Sequence, residues 1–375
     1  MNVNQLKYLT ISDIHFGHDK NETSNIKKNF INYFMKNDKL FKKLDIIFVL
    51  GDIFDKLLNT NSEQYKLTLE AMTWLIIYCK KNNIKLRILE GTPSHDWKQI
   101  KALYNVIKDL KIDIDFKYID VLYIENMNDL GINILYIPDE WNHDASKTFK
   151  EVKELLLKHN LQQVDITMIH GQFHYQLPMV KLESSHNEED YLNITKYYIS
   201  IGHIHIFSVF GRIIAQGSFD RLAHGEESPK GAVVITLDKI HGNSYLFIEN
   251  KDARIFKTFR YNVKDIDELI NKLKKDIYKY RDQSYIRVIV PNDSKLKVYE
   301  KKVNNYFTNY YIKIEYVDKN NKVVKINMLE DRNIDSFSIT ERNIVELMNT
   351  EMKKHKLTTK EWNIYQEEFL EIINI

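Results

Sequence analysis

Five short motifs of Asp, His and Gly, each placed where an apolar run ends, constrain the fold of this 375-residue chain most strongly. An apolar run that stops at polar residues is typical of a buried strand whose carboxyl end opens onto a site. Because the carboxyl ends of parallel strands meet at one sheet edge, motifs far apart in sequence can share that site. In chain order they are Asp13-Ile14-His15, Gly51-Asp52, Ser94-His95-Asp96, His170-Gly171 and Gly202-His203-Ile204-His205.

Strand and helix patterns alternate up to about residue 250, which predicts βαβ units and the α/β fold class. The predicted strands are 8–12, 46–50, 85–89, 132–137, 166–169 and 198–201, and the predicted helices are 25–35, 65–81, 97–110 and 149–159. Three closely spaced runs then predict a second, more antiparallel sheet, from residues 212–216, 232–237 and 245–249. We therefore expect a sandwich of two mixed sheets with helices outside.

The residue types in these motifs indicate a pair of divalent metal ions. Asp13 and His15 are two residues apart, so both side chains leave the same face of a strand, and His203 and His205 repeat this spacing. Two cations ~3.5–4 Å apart need a carboxylate between them, and Asp52 is the candidate for that bridge. Imidazole and carboxylate ligands without sulfur favour Mn, Fe or Zn over Mg or Ca.

His95 is the candidate to assist a leaving oxygen, and the adjacent Asp96 is expected to orient its imidazole. Taken singly, these residues have ordinary explanations. A strand-end histidine such as His170 is commonly structural, and Asp52 after a glycine is typical of a turn. Asp55, His18 and Asp96 are candidates to orient a ligand, with helix capping or plain surface placement as alternatives. The joint occurrence of the motifs favours the metal ligands.

Composition describes an ordinary globular protein, with 43% hydrophobic and 28% charged residues. The single cysteine, Cys79, excludes a disulfide framework and a thiolate metal cluster and fits a reducing compartment. No apolar stretch approaches the ~20 residues of a membrane span. The first apolar run begins too early to leave room for a signal peptide, so we expect a cytoplasmic protein.

The chain is predicted to contain a metal-binding domain (1–255), a small α+β capping domain (256–318), a linker (319–335) and a C-terminal helical hairpin (336–375). Residues 257–325 hold 17 Lys and Arg against 9 Asp and Glu, which fits either a phosphate-contacting surface or a solvated basic face. In the hairpin, Ser338 with Glu341 and Thr358 with Glu361 match the helix capping box. Its apolar stripes favour partner binding over docking on the chain's own metal-binding domain.

The motifs resemble those of the calcineurin-like metallophosphoesterases, and more closely those of the SbcD-type DNA exonuclease subunits, including phage relatives. The segments Ala215-Gln216-Gly217-Ser218 and Gly225-Glu226-Glu227 add to this resemblance. It implies one metal held by Asp13, His15, Asp52 and His205, and a second held by Asp52, His170, His203 and a third-motif ligand, with His95 and Asp96 catalytic.

The same resemblance implies manganese as the metal and DNA as the substrate. Expected activities are exonuclease cleavage of double strands from the 3′ end and endonuclease cleavage of single strands or hairpins. It also implies a homodimer and an SbcC-type coiled-coil ATPase bound through residues 336–375, in the host cytoplasm if the protein is phage-encoded.

The third motif departs from this family, which has Gly-Asn-His-Asp with the Asn amide oxygen on the second metal. Here the segment reads Gly91-Thr92-Pro93-Ser94-His95-Asp96, two residues longer, and Ser94 stands beside the histidine. We assign Ser94 as the ligand, with Thr92 or a water as alternatives. A neutral hydroxyl is a poorer ligand than an amide oxygen, so we expect a weaker second site.

Two other functions remain open from the sequence. The same metal site would serve a phosphatase or a small-molecule phosphodiesterase, although neither needs the basic segment or the apolar C-terminal stripes. A weakly catalytic scaffold of the same fold is the other alternative. It is favoured by the change in the third motif and opposed by the intact Asp13, His15, Asp52 and His95.

Overall fold

A computed structural model describes residues 4–109, 111–138, 144–177, 184–263, 265–292 and 300–317. The chain divides into two units, Met1–Val324 and Lys325–Ile375, and every element below belongs to the first. The predicted linker 319–335 and helical hairpin 336–375 lie outside the described residues. None of the helices in the described ranges is long and apolar enough to cross a membrane.

The first sheet has six strands in the order β12-β11-β1-β2-β3-β4. Strands β1 to β4 are mutually parallel, whereas β11 runs antiparallel to β1 and β12 antiparallel to β11. The bounds are β1 Gln5–Ile11, β2 Ile46–Leu50, β3 Lys85–Leu89, β4 Phe116–Ile119, β11 Gly231–Asp238 and β12 Ser244–Glu249.

The second sheet also has six strands, in the order β5-β6-β7-β8-β10-β9. Its central strands β6, β7, β8 and β10 are parallel, and the edge strands β5 and β9 are antiparallel to their neighbours. The bounds are β5 Tyr123–Met127, β6 Ile132–Ile137, β7 Ile166–His170, β8 Ile199–Gly202, β9 Ser208–Phe210 and β10 Ile213–Ala215.

Helices cover the outer faces of both sheets. Phe30 and Leu75, from the first and third helices, are buried in one cluster with Ile47 of β2, and Val152 and Tyr191 cover the second sheet. The helices are α1 Thr23–Lys36, α2 Asp38–Phe41, α3 Glu63–Lys81, α4 Pro93–Asp96, α5 Ile100–Asp109, α6 Ala145–Lys158, α7 Glu188–Ile194, α8 Ile266–Ile277 and α9 Glu300–Tyr306. The predicted α/β sandwich of two mixed sheets flanked by helices is confirmed.

The two sheets pack through an apolar layer and one buried ion pair. Phe48 of β2 lies 6.3 Å from Tyr136 of β6 between ring centroids, inside the cluster that fills the space between the sheets. Arg87 of β3 binds Glu125 of β5 through two contacts of 2.8 and 2.9 Å, and Tyr136 donates to the same carboxylate. The Arg87 and Glu125 side chains are 2% and 3% exposed, so this pair joins the sheets inside the core.

The distribution of strands between the sheets corrects one prediction. Residues 232–237 and 245–249 were expected in the second sheet, yet they form β11 and β12 at the antiparallel edge of the first sheet. Conversely, strands 132–137, 166–170 and 199–202 leave the first sheet and build the second. The central strands of both sheets are buried on both faces and are therefore similar apolar runs in the sequence. Such runs do not indicate which of the two sheets a strand joins.

A third sheet of three parallel strands forms from residue 256 onward, in the order β13-β14-β15. The bounds are β13 Phe256–Arg260, β14 Tyr285–Pro291 and β15 Tyr311–Val317. Alternate residues such as Ile286, Val288 and Ile314 are buried on one face. Arg287 and Lys313 occupy the other face in register, and Lys313 is exposed. Helices α8 and α9 alternate with these strands along the chain. The division into a metal-binding domain and a capping domain stays a prediction.

Candidate metal centre

The predicted motifs from both sheets meet at the carboxyl ends of their strands. The backbone joins β1 to β2 through Asp13 N, which donates to Gly51 O at 3.1 Å. The second sheet is tied to the same place because His203 N, after β8, donates to the Asp13 carboxylate at 3.0 and 3.1 Å. Residues almost two hundred positions apart therefore share one site.

Three overlapping groups of side chains there could hold metal ions. Within each group the ligand atoms all lie within 4.8 Å of one another. The groups are Asp13, His15 and His205; then His15, Asp52 and His95; then Asp52, His170 and His203. Because His15 and Asp52 each belong to two groups, the groups form one continuous row. The structure thus brings the ligand residues proposed from the motifs together, with the exception of Ser94.

Distances between neighbouring ligand atoms suit a coordination polyhedron. His15 Nε2 lies 3.1 Å from His205 Nε2, and His170 Nε2 lies 3.3 Å from Asp52 Oδ1. Ligands about 2.1 Å from a tetrahedral or octahedral ion stand about 3.0–3.4 Å apart. The residues present therefore fit divalent cations. We call the position between Asp13, His15, Asp52 and His205 the first position, and that between Asp52, His170 and His203 the second position.

The other ring nitrogens of three ligand histidines face oxygen atoms. The pairs are His15 Nδ1 with Asp55 Oδ1 at 3.2 Å, His205 Nδ1 with Glu226 Oε1 at 3.1 Å, and His170 Nδ1 with the Leu50 carbonyl at 2.7 Å. For His205 and His170 these acceptors favour a proton on Nδ1 and leave the Nε2 lone pair free to bind, whereas His15 Nδ1 lies near the Asp55 carboxylate without a hydrogen bond. The Nε2 atoms of His15 and His205 face each other, an arrangement that a cation bound by both would stabilise.

Ionisation of the site also suits cation binding. Burial raises the pKa of Asp52, but the imidazoles of His170 and His15 outweigh it and hold that pKa far below its usual value. Burial also raises the pKa of Glu226, yet His205 and Lys230 bring it down to about 2. Both carboxylates are therefore ionised at neutral pH. The site combines negative charge with imidazole donors in a largely buried environment.

Backbone strain is concentrated at the ligands. Four of them have a positive φ, a region that residues other than glycine rarely adopt. They are Asp13 (52°), His15 (54°), Asp52 (51°) and His203 (100°). Asp52 O accepts from the backbone N–H groups of both Ile14 and His15, at 2.9 and 3.1 Å, which holds the two turns together. Strain at four adjacent ligands indicates a functional constraint.

Two glycines allow the turns to approach each other. A Cβ on Gly51, whose φ is 80°, would lie 2.4 Å from His170 Nδ1. A Cβ on Gly91 would lie 2.1 Å from Asp52 N and 2.4 Å from Asp52 Oδ1. Any larger residue at either position would displace a candidate ligand.

His95 lies at the site, but Asp96 does not orient it as predicted. His95 Nδ1 lies 2.5 Å from the Asp55 carbonyl oxygen, so a backbone group holds the imidazole. The buried Asp96 carboxylate instead accepts backbone N–H groups from three turn residues, Asp52, Phe54 and Gly91, at 2.8–3.0 Å. Asp96 therefore shapes the turns that carry the ligands, which corrects its assignment as a catalytic residue.

The ligand assignment of Ser94 is also corrected. Ser94 is exposed, and its carbonyl oxygen accepts from Trp97 Nε1 at 3.0 Å. The two extra residues of this motif start the short helix α4 at Pro93, so Thr92 precedes the helix and faces the site. Thr92 Oγ1 lies 3.2 Å from Asp52 Oδ2. Of the alternatives weighed from the sequence, the structure puts Thr92 beside the ligands.

Supporting residues around His205 were missed by sequence reasoning. Lys230, 1% exposed, lies with its Nζ 3.2 Å from Glu226 Oε2 and 2.7 Å from the His205 carbonyl oxygen. Glu226 thus connects a buried ammonium group to a metal-binding imidazole. In the sequence, the signal for these residues was the Gly225-Glu226 segment followed by Lys230. The segment adds to the family resemblance, but no role was predicted for it.

No family model and no curated protein sequence matches the chain. Among solved structures, the chain is similar to GAP50, the anchor in the inner membrane complex of Plasmodium, at 17% identity and a TM-score of 0.40, over 66% of this chain and 86% of that one. It is also similar to the protein TT1561 of Thermus thermophilus, at 12% identity and a TM-score of 0.38, over 64% of this chain and 98% of that one. The chemistry of this protein therefore has to follow from its own side chains.

Proposed function

We propose that this chain is a metal-dependent DNA nuclease of the SbcD type. It would use two divalent ions, and we propose that both are manganese. The observation that carries the proposal is the row of overlapping ligand groups, in which Asp52 shares one group with His15 and another with His170 and His203. Asp13, His15, Asp52 and His205 would hold one ion. A second would be held by Asp52, His170, His203 and an oxygen ligand from the third motif.

Divalent ions held by these residues would supply a bound water of lowered pKa and would neutralise negative charge on a phosphate. The protein's own contribution is to fix the ligands and to supply a proton donor. His95 is our candidate donor to the leaving oxygen, because it belongs to the group with His15 and Asp52. Its Nδ1 is held by the Asp55 carbonyl, which leaves Nε2 for the substrate.

Positive charge beside the site supports a nucleic-acid substrate over a small molecule. The ring centroids of His224 and Phe256, a residue of the third sheet, are 5.2 Å apart. His224 is also two residues before Glu226, whose carboxylate contacts His205. Burial lowers the pKa of His224 to about 4, and Arg287, Lys20 and Lys313 add to the effect, whereas the Glu315 carboxylate opposes it. Glu315 forms ion pairs with Arg287 and Lys313, at 3.9 and 3.0 Å. We propose Arg287, Lys20 and Lys313 as contacts for the phosphate backbone.

Partners remain proposals from the sequence. Residues 336–375, for which the sequence predicts two capped helices with apolar stripes, are our candidate contact for an SbcC-type coiled-coil ATPase. A homodimer would place two sites on one DNA end. Both expectations concern assembly and are separate from the chemistry of the site.

The test is digestion of end-labelled duplex, single-stranded and hairpin DNA with Mn²⁺, with and without a co-purified coiled-coil ATPase. A small phosphodiester, bis-p-nitrophenyl phosphate, is hydrolysed in parallel. We expect Mn²⁺-dependent cleavage of DNA, with release from the 3′ end of the duplex. Turnover of the small ester without any DNA cleavage would favour a small-molecule phosphodiesterase. Metal binding without hydrolysis of either substrate would favour a scaffold.

A further inference from the structure

We infer that the Thr92 hydroxyl is a ligand at the second position and makes that position selective for hard, oxygen-preferring cations. This rests on the metal centre of the proposed function but is independent of the DNA substrate. Thr92 Oγ1 lies 3.2 Å from Asp52 Oδ2, 3.2 Å from His170 Nε2 and 3.2 Å from His203 Nδ1. The oxygen is thus equally distant from an atom of every other candidate ligand at this position.

These equal distances are those of a vertex in a coordination polyhedron. Neighbouring ligands around an ion at about 2.1 Å are separated by about 3.0–3.4 Å. The Thr92 oxygen meets that spacing with all three partners at once.

A purely structural hydroxyl explains less of this geometry. A threonine hydroxyl can donate one hydrogen bond and accept up to two. It can donate to Asp52 and accept from His203 Nδ1, but His170 Nδ1 faces the Leu50 carbonyl at 2.7 Å, so a neutral His170 ring has no proton on Nε2 to donate to the hydroxyl. A shared cation accounts for all three, because each atom then directs a lone pair at the same point.

The backbone fixes Thr92 from both sides. Its N–H donates to Asp52 Oδ1 at 2.6 Å, and its carbonyl oxygen accepts from His95 N at 2.9 Å and Asp96 N at 3.0 Å. Gly91 before it allows the close approach to Asp52. The hydroxyl is therefore held in place before any ion arrives, which lowers the entropy cost of binding.

A neutral hydroxyl contributes no charge and is a hard oxygen donor. Oxygen ligands suit Mg²⁺ and Mn²⁺, whereas an all-imidazole set suits Zn²⁺. Because the second position has one carboxylate, Asp52, and the first position has two, Asp13 and Asp52, we expect the second position to bind Mn²⁺ more weakly. Removing the hydroxyl is expected to lower affinity for Mn²⁺ more than affinity for Zn²⁺.

The experiment is calorimetric titration of the full-length, metal-free protein with Mn²⁺ and separately with Zn²⁺. The variants are Thr92→Val, which is nearly isosteric without the hydroxyl, Thr92→Ser, which keeps it, and Thr92→Asn, which supplies an amide oxygen. Ser94→Ala is the matched control, because it removes a hydroxyl from the same motif outside the site. Unfolding of each metal-free variant reports on the fold.

We expect Thr92→Val to weaken the lower-affinity Mn²⁺ site by about tenfold or more, with little change at the other. Thr92→Ser and Ser94→Ala should bind like the wild type, and Thr92→Asn should bind more tightly. Unchanged affinity in Thr92→Val, or a loss in Ser94→Ala alone, would overturn the assignment. If Thr92→Val fails to fold, equal Mn²⁺ affinity in Thr92→Asn and wild type overturns it, and a gain supports it. A wild type that binds no metal refutes the centre itself, whatever its activity on DNA.

Discussion

Glu226→Gln keeps a hydrogen-bond acceptor beside His205 and removes the charge that the side chain presents to Lys230. Glu226 Oε1 lies 3.1 Å from His205 Nδ1, and Oε2 lies 3.2 Å from Lys230 Nζ. Carboxylates that orient a metal-binding histidine contribute about 10–100-fold to metal affinity. We therefore expect Mn²⁺ affinity at the first position to fall by at least about tenfold, or about 1.4 kcal/mol.

The same substitution destabilises the fold because it leaves the Lys230 ammonium group buried without its carboxylate. The Lys230 side chain is 0% exposed and that of Glu226 is 20% exposed, so solvent screens the pair only weakly. Losing one partner of a buried pair costs about 3–5 kcal/mol. Adding Lys230→Met removes the uncompensated charge and should restore much of the free energy of unfolding. Metal affinity should stay low, since the carboxylate is still missing.

Calorimetric titration with Mn²⁺ and urea unfolding of the metal-free protein separate the two effects. Arg87→Met is the matched control, because Arg87 forms a buried ion pair with Glu125 between β3 and β5, outside the motifs. It should lower stability and leave Mn²⁺ affinity unchanged. Full recovery of affinity in the double variant, or an equal loss of affinity in Arg87→Met, would refute the positioning of His205 by Glu226.

Asp52→Asn should abolish Mn²⁺-dependent cleavage of DNA with a native circular dichroism spectrum, and residual nuclease activity would exclude Asp52 as the bridge. Arg287→Gln and Lys313→Gln should each weaken DNA binding and reduce its salt-dependence slope by about 1, while Mn²⁺ titration stays unchanged; a normal slope would remove them from the DNA contact. Burial lowers the pKa of His186 from 6.5 to about 4, so the unfolded chain binds the extra proton first. The free energy of unfolding should therefore fall by about 3 kcal/mol as the pH drops from 6.5 to about 4. Urea unfolding of His186→Gln should lack this part of the pH dependence.

Local elements of the fold were predictable because their signals are local. Residues 46–50, 85–89 and 132–137 were predicted as strands and are strands with the same bounds. Edge strands β4 and β5 were missed because their partly exposed, polar-containing sequences do not form apolar runs. Assignment of β11 and β12 to a sheet failed because pairing depends on contacts distant in sequence, which periodicity does not encode.

The candidate site also combines features that the local sequence predicts with features that depend on contacts distant in sequence. Metal-binding residue types just after the strand ends could be identified from Asp13, His15 and Asp52. The expectation that a strand places Asp13 and His15 on one face is wrong, because β1 ends at Ile11 and both residues have a positive φ in the turn that follows. Within the third motif, Ser94 was chosen by its place beside the histidine, but Pro93 starts a helical turn that leaves Thr92 facing the ligand groups. The role of Lys230 was not predicted, because a lysine is expected at the surface until its burial is known.

The central claim is that two cations bind on either side of Asp52, and anomalous diffraction from crystals soaked in Mn²⁺ tests it most directly. We predict two anomalous peaks about 3.5–4 Å apart, one beside His15 and His205 and the other beside His170 and His203. A single peak, or manganese bound only elsewhere, would contradict the dinuclear centre.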